Sequence, residues 1–188
     1  MGAFPIPGIS VEEYLRLDDE SELPLEYHDG EVFEIDGASP AHAAIGANVA
    51  RRLSERLDDL PCRAYNPARV RVSPSKYLYP DLLVVCGNLV TTDDRAKSIL
   101  NPEVIVEILS PNTEGYDYHR KFAFYRQIAT FEEYILIAQD QPKIEVFRKA
   151  PENRWILSTY EGPGAIARVE SLEIELPLDQ IYAGVEFE

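Results

Sequence analysis

Two acids stand where the pattern of apolar residues leaves no room for charge. Tyr79 to Val85 and Val104 to Leu109 are short, apolar, β-branched runs that read as central strands covered on both faces, yet Asp81 interrupts the first and Glu107 the second. An ionised carboxylate inside such a strand is expensive unless it is paired or holds a cation. Carboxylate oxygens that open onto water form a hard site suited to Mg²⁺ or Mn²⁺, and no His pair stands at the ligand spacing that zinc would ask for. Lys121 falls one helix after Glu107 and completes a site of this kind, with Asp117 and Tyr125 four residues to either side on the same helical face. Taken singly, each residue has a plainer reading. Asp81 is then a strand-start acid after Pro80, Glu107 a strand-end acid that caps the next helix, and Lys121 a solvated helix residue.

The elements that must position these groups alternate between helix and strand signals, without repeats or a linker. Ser10-Val11-Glu12-Glu13 has the form of a capping box, so a short helix runs to about Leu17, closed by the acidic run Asp18 to Glu22. Leu25 to His28 and Glu31 to Ile35 flank Asp29-Gly30, whose tolerance of positive φ predicts a tight β-hairpin. Ser39-Pro40 opens a helix with Ser39 as N-cap, and Ile45, Val49, Leu53 and Leu57 give it one apolar face. Val70 and Val72 alternate with Arg69 and Arg71 in a strand, and a turn follows at Ser73 to Lys76. A helix is expected from Gly115 to Ile128, with strands over Glu133 to Ala138, Lys143 to Phe147 and Arg154 to Tyr160, and a last helical turn or two over Pro177 to Ala183. The expectation is one mixed α and β domain over residues 1–188, with residues 1–9 as an extended N-terminal arm.

Composition limits the classes of function. At 188 residues, with 45% hydrophobic and 27% charged side chains, the chain is large enough for a real core, and no run approaches a membrane span. The Pro- and Gly-rich start lacks the basic and apolar regions of a signal peptide, so a cytoplasmic protein is expected, with Cys62 and Cys86 as two reduced, packed thiols. A net charge of −15 argues against a nucleic-acid partner. The distribution qualifies that argument, because residues 61–126 carry 9 basic against 7 acidic side chains while both flanks are strongly acidic. An acidic body around a mildly basic centre repels a polyanion everywhere but at that centre, although charge kept for solubility explains the same pattern.

Glu26…Asp29-Gly30-Glu31, Tyr79-Pro80-Asp81-Leu82, Val106-Glu107-Ile108-Leu109-Ser110-Pro111-Asn112-Thr113, Lys121 and Tyr125, in this order, resemble the Uma-type family of candidate bacterial endonucleases. The resemblance runs from about Ile9 to Ile181. It implies a restriction-endonuclease-like core of the PD-(D/E)xK type, a mixed sheet flanked by helices, with Pro80-Asp81 as the PD element and Glu107 as the second acid. Leu109 stands where the general motif has lysine, and the resemblance moves that role to Lys121 on the following helix. Glu26 would supply an additional acid. The resemblance further implies phosphodiester hydrolysis with Mg²⁺ or Mn²⁺ held by Asp81 and Glu107, with Glu26 completing the metal shell or acting as a base through water, and with Lys121 orienting water or offsetting charge on the phosphate.

Around this set, His42 near a helix start is a candidate for contact with phosphate, and Arg69, Arg71 and Lys76 are candidates for tracking a nucleic-acid backbone. Tyr125 is expected to pack against the lysine stem or to hydrogen-bond Lys121, and Ser110 and Thr113 to hold their loop by local hydrogen bonds. Two functions remain open at this point: a metal-dependent nuclease acting on DNA, which as a homodimer could cut both strands, and a nuclease fold used as a homodimeric binding or assembly module. A third, an acidic protein that imitates a polyanion, would place its acids on one exposed patch.

Overall fold

The computed structural model describes residues 8–35, 37–94, 97–111 and 113–187. Of the expected N-terminal arm, residues 1–7 lie outside these. Ile9 lies against the hairpin, its N–H donating to Gly30 and its carbonyl accepting from the Tyr27 hydroxyl. Helix α1 (Val11–Glu20) is capped by Ser10, as its sequence predicts, but runs on through Asp18 because that side chain is drawn inward rather than solvated. Strands β1 (Leu25–His28) and β2 (Glu31–Glu34) form the hairpin, with Asp29 and Gly30 at φ of 50° and 101°. They join β5 (Lys76–Leu78) and β4 (Val70–Ser73) in a four-stranded antiparallel sheet ordered β2-β1-β5-β4. Tyr14, Tyr27, Val32 and Tyr77 fill the layer between this sheet and α1.

The larger sheet has six strands, ordered β10-β9-β8-β7-β6-β3: β3 (Cys62–Tyr65), β6 (Leu82–Cys86), β7 (Val104–Leu109), β8 (Glu133–Ala138), β9 (Lys143–Ala150) and β10 (Arg154–Glu161). It is mixed, since β7 and β8 run parallel and every other pair antiparallel. A period of two sorts its side chains. Leu82, Val84, Val106, Ile108, Ile135 and Ile137 face the apolar stripe of helix α2 (Pro40–Leu57), together with the β11 (Ile166–Val169) and β12 (Ile174–Pro177) ribbon and α5 (Leu178–Ile181). Leu83, Val85, Ile105, Tyr134 and Leu136 face the other way, against Tyr125, Ile128 and Phe131. The fold is therefore mixed α+β, a mixed sheet flanked by helices.

The crossover from β7 to β8 carries the predicted helix, but not as a plain α-helix. An α-turn at Glu114–Tyr116 (α3) passes into a π-helical turn at Asp117–Lys121 and back to α at Phe122–Tyr125 (α4). Two expectations fail. Cys62 and Cys86 are disulfide-bonded, not reduced thiols, because β3 pairs antiparallel with β6 in a register that sets the two residues opposite one another. Arg69 is not free to track a nucleic acid. It is buried, ion-paired with Asp18, bonded to Ser98 at 2.9 Å and seated over the Tyr14 ring. No helix among the described residues is long and apolar enough to cross a membrane.

Candidate active site

Four elements deliver charge to one cavity of about 280 Å³, lined by Glu26, His42, Asp81, Glu107, Tyr116, Asp117 and Lys121 among others. Glu107 is the fourth residue of β7 and points to the face that the crossover helix covers. Asp81 precedes β6, where its Oδ2 accepts from the backbone N–H of Ile108 at 2.7 Å, which fixes it beside Glu107 on the neighbouring strand. Glu26 arrives from β1 of the smaller sheet, and its Oε1 accepts from the Tyr79 N–H at 3.0 Å, tying it to the turn before Asp81. The Lys121 ammonium lies 3.1 Å from Glu26 Oε1, 3.0 Å from Glu107 Oε1 and 3.7 Å from Asp117 Oδ1. Lys121 is thus the hub of the acids, and only 6% exposed.

Burial sets these charges against one another. On its own it favours the neutral amine of Lys121, but Glu107, Glu26 and Asp117 outweigh it and hold the ammonium well above its ordinary pKa. Burial also pushes Glu107 well above the carboxylate range, with Asp117, Asp81 and Glu26 adding to that push against Lys121's opposition. Glu26 goes the other way, because Lys121, His28 and the Tyr79 N–H overcome its burial and bring it down to about 2. Asp117 is pushed up to about 6 by burial, against Lys121. One lysine thus stands among four acids, Glu26, Asp81, Glu107 and Asp117.

The donor chemistry fits a hard divalent cation: carboxylate oxygens from β1, β7 and the turn before β6 meet in one cavity, where a further positive charge would relieve the repulsion among them. No group of three or more His, Cys, Asp or Glu among the described residues is gathered ready for a metal, since Lys121 stands between Glu26 and Glu107.

Of the residues singled out in the sequence, Glu26, Asp81, Glu107, Lys121 and His42 meet here. His42 contacts Asp81, with Nε2 2.9 Å from Oδ1. Tyr125 lies beneath, fully buried, and donates to Glu107 Oε1 at 2.9 Å instead of bonding Lys121. Ser110 and Thr113 hold their loop by mutual bonds, as expected. Arg71 and Lys76 lie elsewhere. Lys76 is paired with Asp29 at 2.6 Å and sits over the Phe124 ring, while Arg71 reaches the Ser73 carbonyl. Tyr116 and His28 are the site residues that sequence reasoning missed, and Asp117 was noted beside Lys121 without a role of its own. The spacing of four from Lys121 marks Asp117, whereas nothing local marks the other two.

Comparison with known proteins shows the same fold and a family. A crystal structure titled as a "putative nuclease belonging to DUF820", from Anabaena variabilis, superposes with a TM-score of 0.74 at 19% identity, over 93% of this chain and 98% of that one. Two uncharacterized proteins of Synechocystis sp. align over most of their length: slr1290 at 28% identity over 97% of this chain and 96% of its own, and sll1609 at 31% over 84% and 90%. The model of the Uma2 family, described as "Putative restriction endonuclease", matches residues 11–179, from the start of α1 to the turn of α5 that closes the core. The chain belongs to the Uma2 family.

Proposed function

We propose that this chain is an endonuclease that hydrolyses phosphodiester bonds in DNA with Mg²⁺ or Mn²⁺. The observation that carries the reading is Lys121, held charged within hydrogen-bond distance of both Glu26 and Glu107 in a cavity shared with Asp81. Asp81, Glu107 and Glu26 would hold the cation, which supplies polarisation of the scissile phosphate and a more acidic bound water. Lys121 donates to the phosphate oxygens, where negative charge grows as the water oxygen bonds to phosphorus and the ester bond breaks. Asp117, with its pKa near 6, accepts the proton that the water loses. His42 keeps Asp81 in place. A homodimer accords with this work, since a symmetric pair offers one cavity to each strand of a duplex.

Calorimetric titration of Mn²⁺ into the parent and into an Asp81→Asn, Glu107→Gln variant tests the site, and nicking of supercoiled plasmid by the parent and by Lys121→Ala tests the reaction. Binding and nicking by the parent alone are expected. Equal heats and no nicking would favour the other reading, an assembly module, to which the net charge of −15 also points.

A further inference from the structure

We infer that Tyr116 and His28 are positioning residues that hold Glu26 from behind through a one-way chain of hydrogen bonds. The inference rests on the reading of Glu26 as part of a metal-binding site. The Tyr116 hydroxyl lies 2.9 Å from Glu26 Oε2 and 2.9 Å from His28 Nε2, and Nε2 itself lies 3.6 Å from the same carboxylate oxygen. A phenol has one proton to give. Of its two neighbours the ionised carboxylate is the stronger acceptor, so the proton goes to Glu26.

The hydroxyl must then accept from the imidazole, which places the His28 proton on Nε2. The surroundings of the ring agree. His28 is 4% exposed, and its Nδ1 is buried without a hydrogen-bond partner among the described residues. A proton on Nδ1 would be an orphan donor in a wall made by Phe33 and Phe124, whose ring centroids lie 4.9 and 5.2 Å away. A bare nitrogen lone pair there costs less. The order Nε2–H to Oη, then Oη–H to Oε2, is thus imposed from both ends.

Glu26 is consequently held on both oxygens: Oε2 by Tyr116, and Oε1 by the Tyr79 N–H and Lys121. A glutamate has three side-chain torsions to freeze, and here they are fixed before any ligand arrives. Groups behind a ligating side chain commonly govern affinity by 10–100-fold through this ordering.

The test has two arms on the full chain. With only three histidines, His28, His42 and His119, ¹⁵N-labelled imidazole spectra are simple to assign using a His28→Gln variant. The metal-free parent should show the His28 proton on Nε2; an Nε2 that carries no proton overturns the chain. In the second arm Mn²⁺ affinity is measured by calorimetry. Tyr116→Phe and His28→Leu should weaken it by about tenfold. His28→Gln, whose amide can donate from near the Nε2 position, should keep it within about threefold of the parent. Thermal melts check that all three variants fold. Unchanged affinity in Tyr116→Phe overturns the positioning role alone. A parent that does not bind Mn²⁺ overturns the metal reading and this role with it, while the spectra still decide the order of the protons.

Discussion

Within the cavity Glu26 and Asp117 are driven in opposite directions, the first by its partners and the second by burial, which gives their removal opposite signs. Glu26 titrates at about 2 when folded and near 4.5 otherwise, so it stabilises the fold above pH 4.5 and loses that contribution as pH falls toward 2. Glu26→Gln should therefore cost about 3 kcal/mol at pH 7, from about 1.4 kcal/mol per pKa unit. The gap to the parent should close as the pH is lowered from 5 in urea titrations. Asp117 is raised from 3.8 to about 6, so it weakens the fold as pH climbs through that window. Asp117→Asn should stabilise by up to about 3 kcal/mol above pH 6, and by nothing below pH 4, in the same titrations. Asp81, Glu107 and Lys121 could be found in the sequence because a charge in an apolar strand, or at helical spacing from one, breaks a local pattern. Tyr116 and His28 break none: a tyrosine on a helix and a histidine in a hairpin strand are ordinary. Arg69 misled for a related reason, since its alternation with Arg71 says which face it takes but not that Asp18 waits there.

At the level of the element, the π-helical turn decides which residues of the crossover helix look inward. One extra residue in the turn widens the inward set, so Tyr116, Asp117, Lys121 and Tyr125 all reach the site. Deleting the exposed His119 should restore α-helical winding and draw Lys121 about 1.5 Å along the helix axis with a turn of some tens of degrees, which lengthens its contacts with Glu26 and Glu107. We expect the deletion variant to lose Mn²⁺ binding and several kcal/mol of stability through unpaired buried acids, while His119→Ala keeps both; calorimetry and urea melts measure the two effects. The π-turn was not legible, because the aromatic spacing of four and three fits an α-helix equally well. The hairpin was legible to within one residue, since Asp29-Gly30 names its own turn and only the end of β2, at Glu34 and not Ile35, differs. The short strands β3, β5, β11 and β12 were not read, each having only three or four residues and being defined by its partner rather than by its own pattern.

Across the whole molecule, the Cys62–Cys86 bond ties the edge strand β3 to the sheet and closes a loop with a sequence separation of 24. Replacing both cysteines by serine should cost about 3 kcal/mol by loop entropy, and a reductant should take the same amount from the parent but nothing from the variant, in denaturant melts. Sequence alone did not reveal this pair, because two cysteines without a motif carry no sign of the register that brings them together. The division of the site between two sheets has a consequence of its own. Asp81, Glu107 and Lys121 come from the six-stranded sheet and its crossover, so they can assemble within one stretch of chain, whereas Glu26 enters only when the four-stranded sheet docks. The cavity is therefore a proofreader of its own folding: a half-built molecule holds a lysine and three acids but lacks the fourth, and loosening between the sheets takes Glu26 out of the site before either sheet melts.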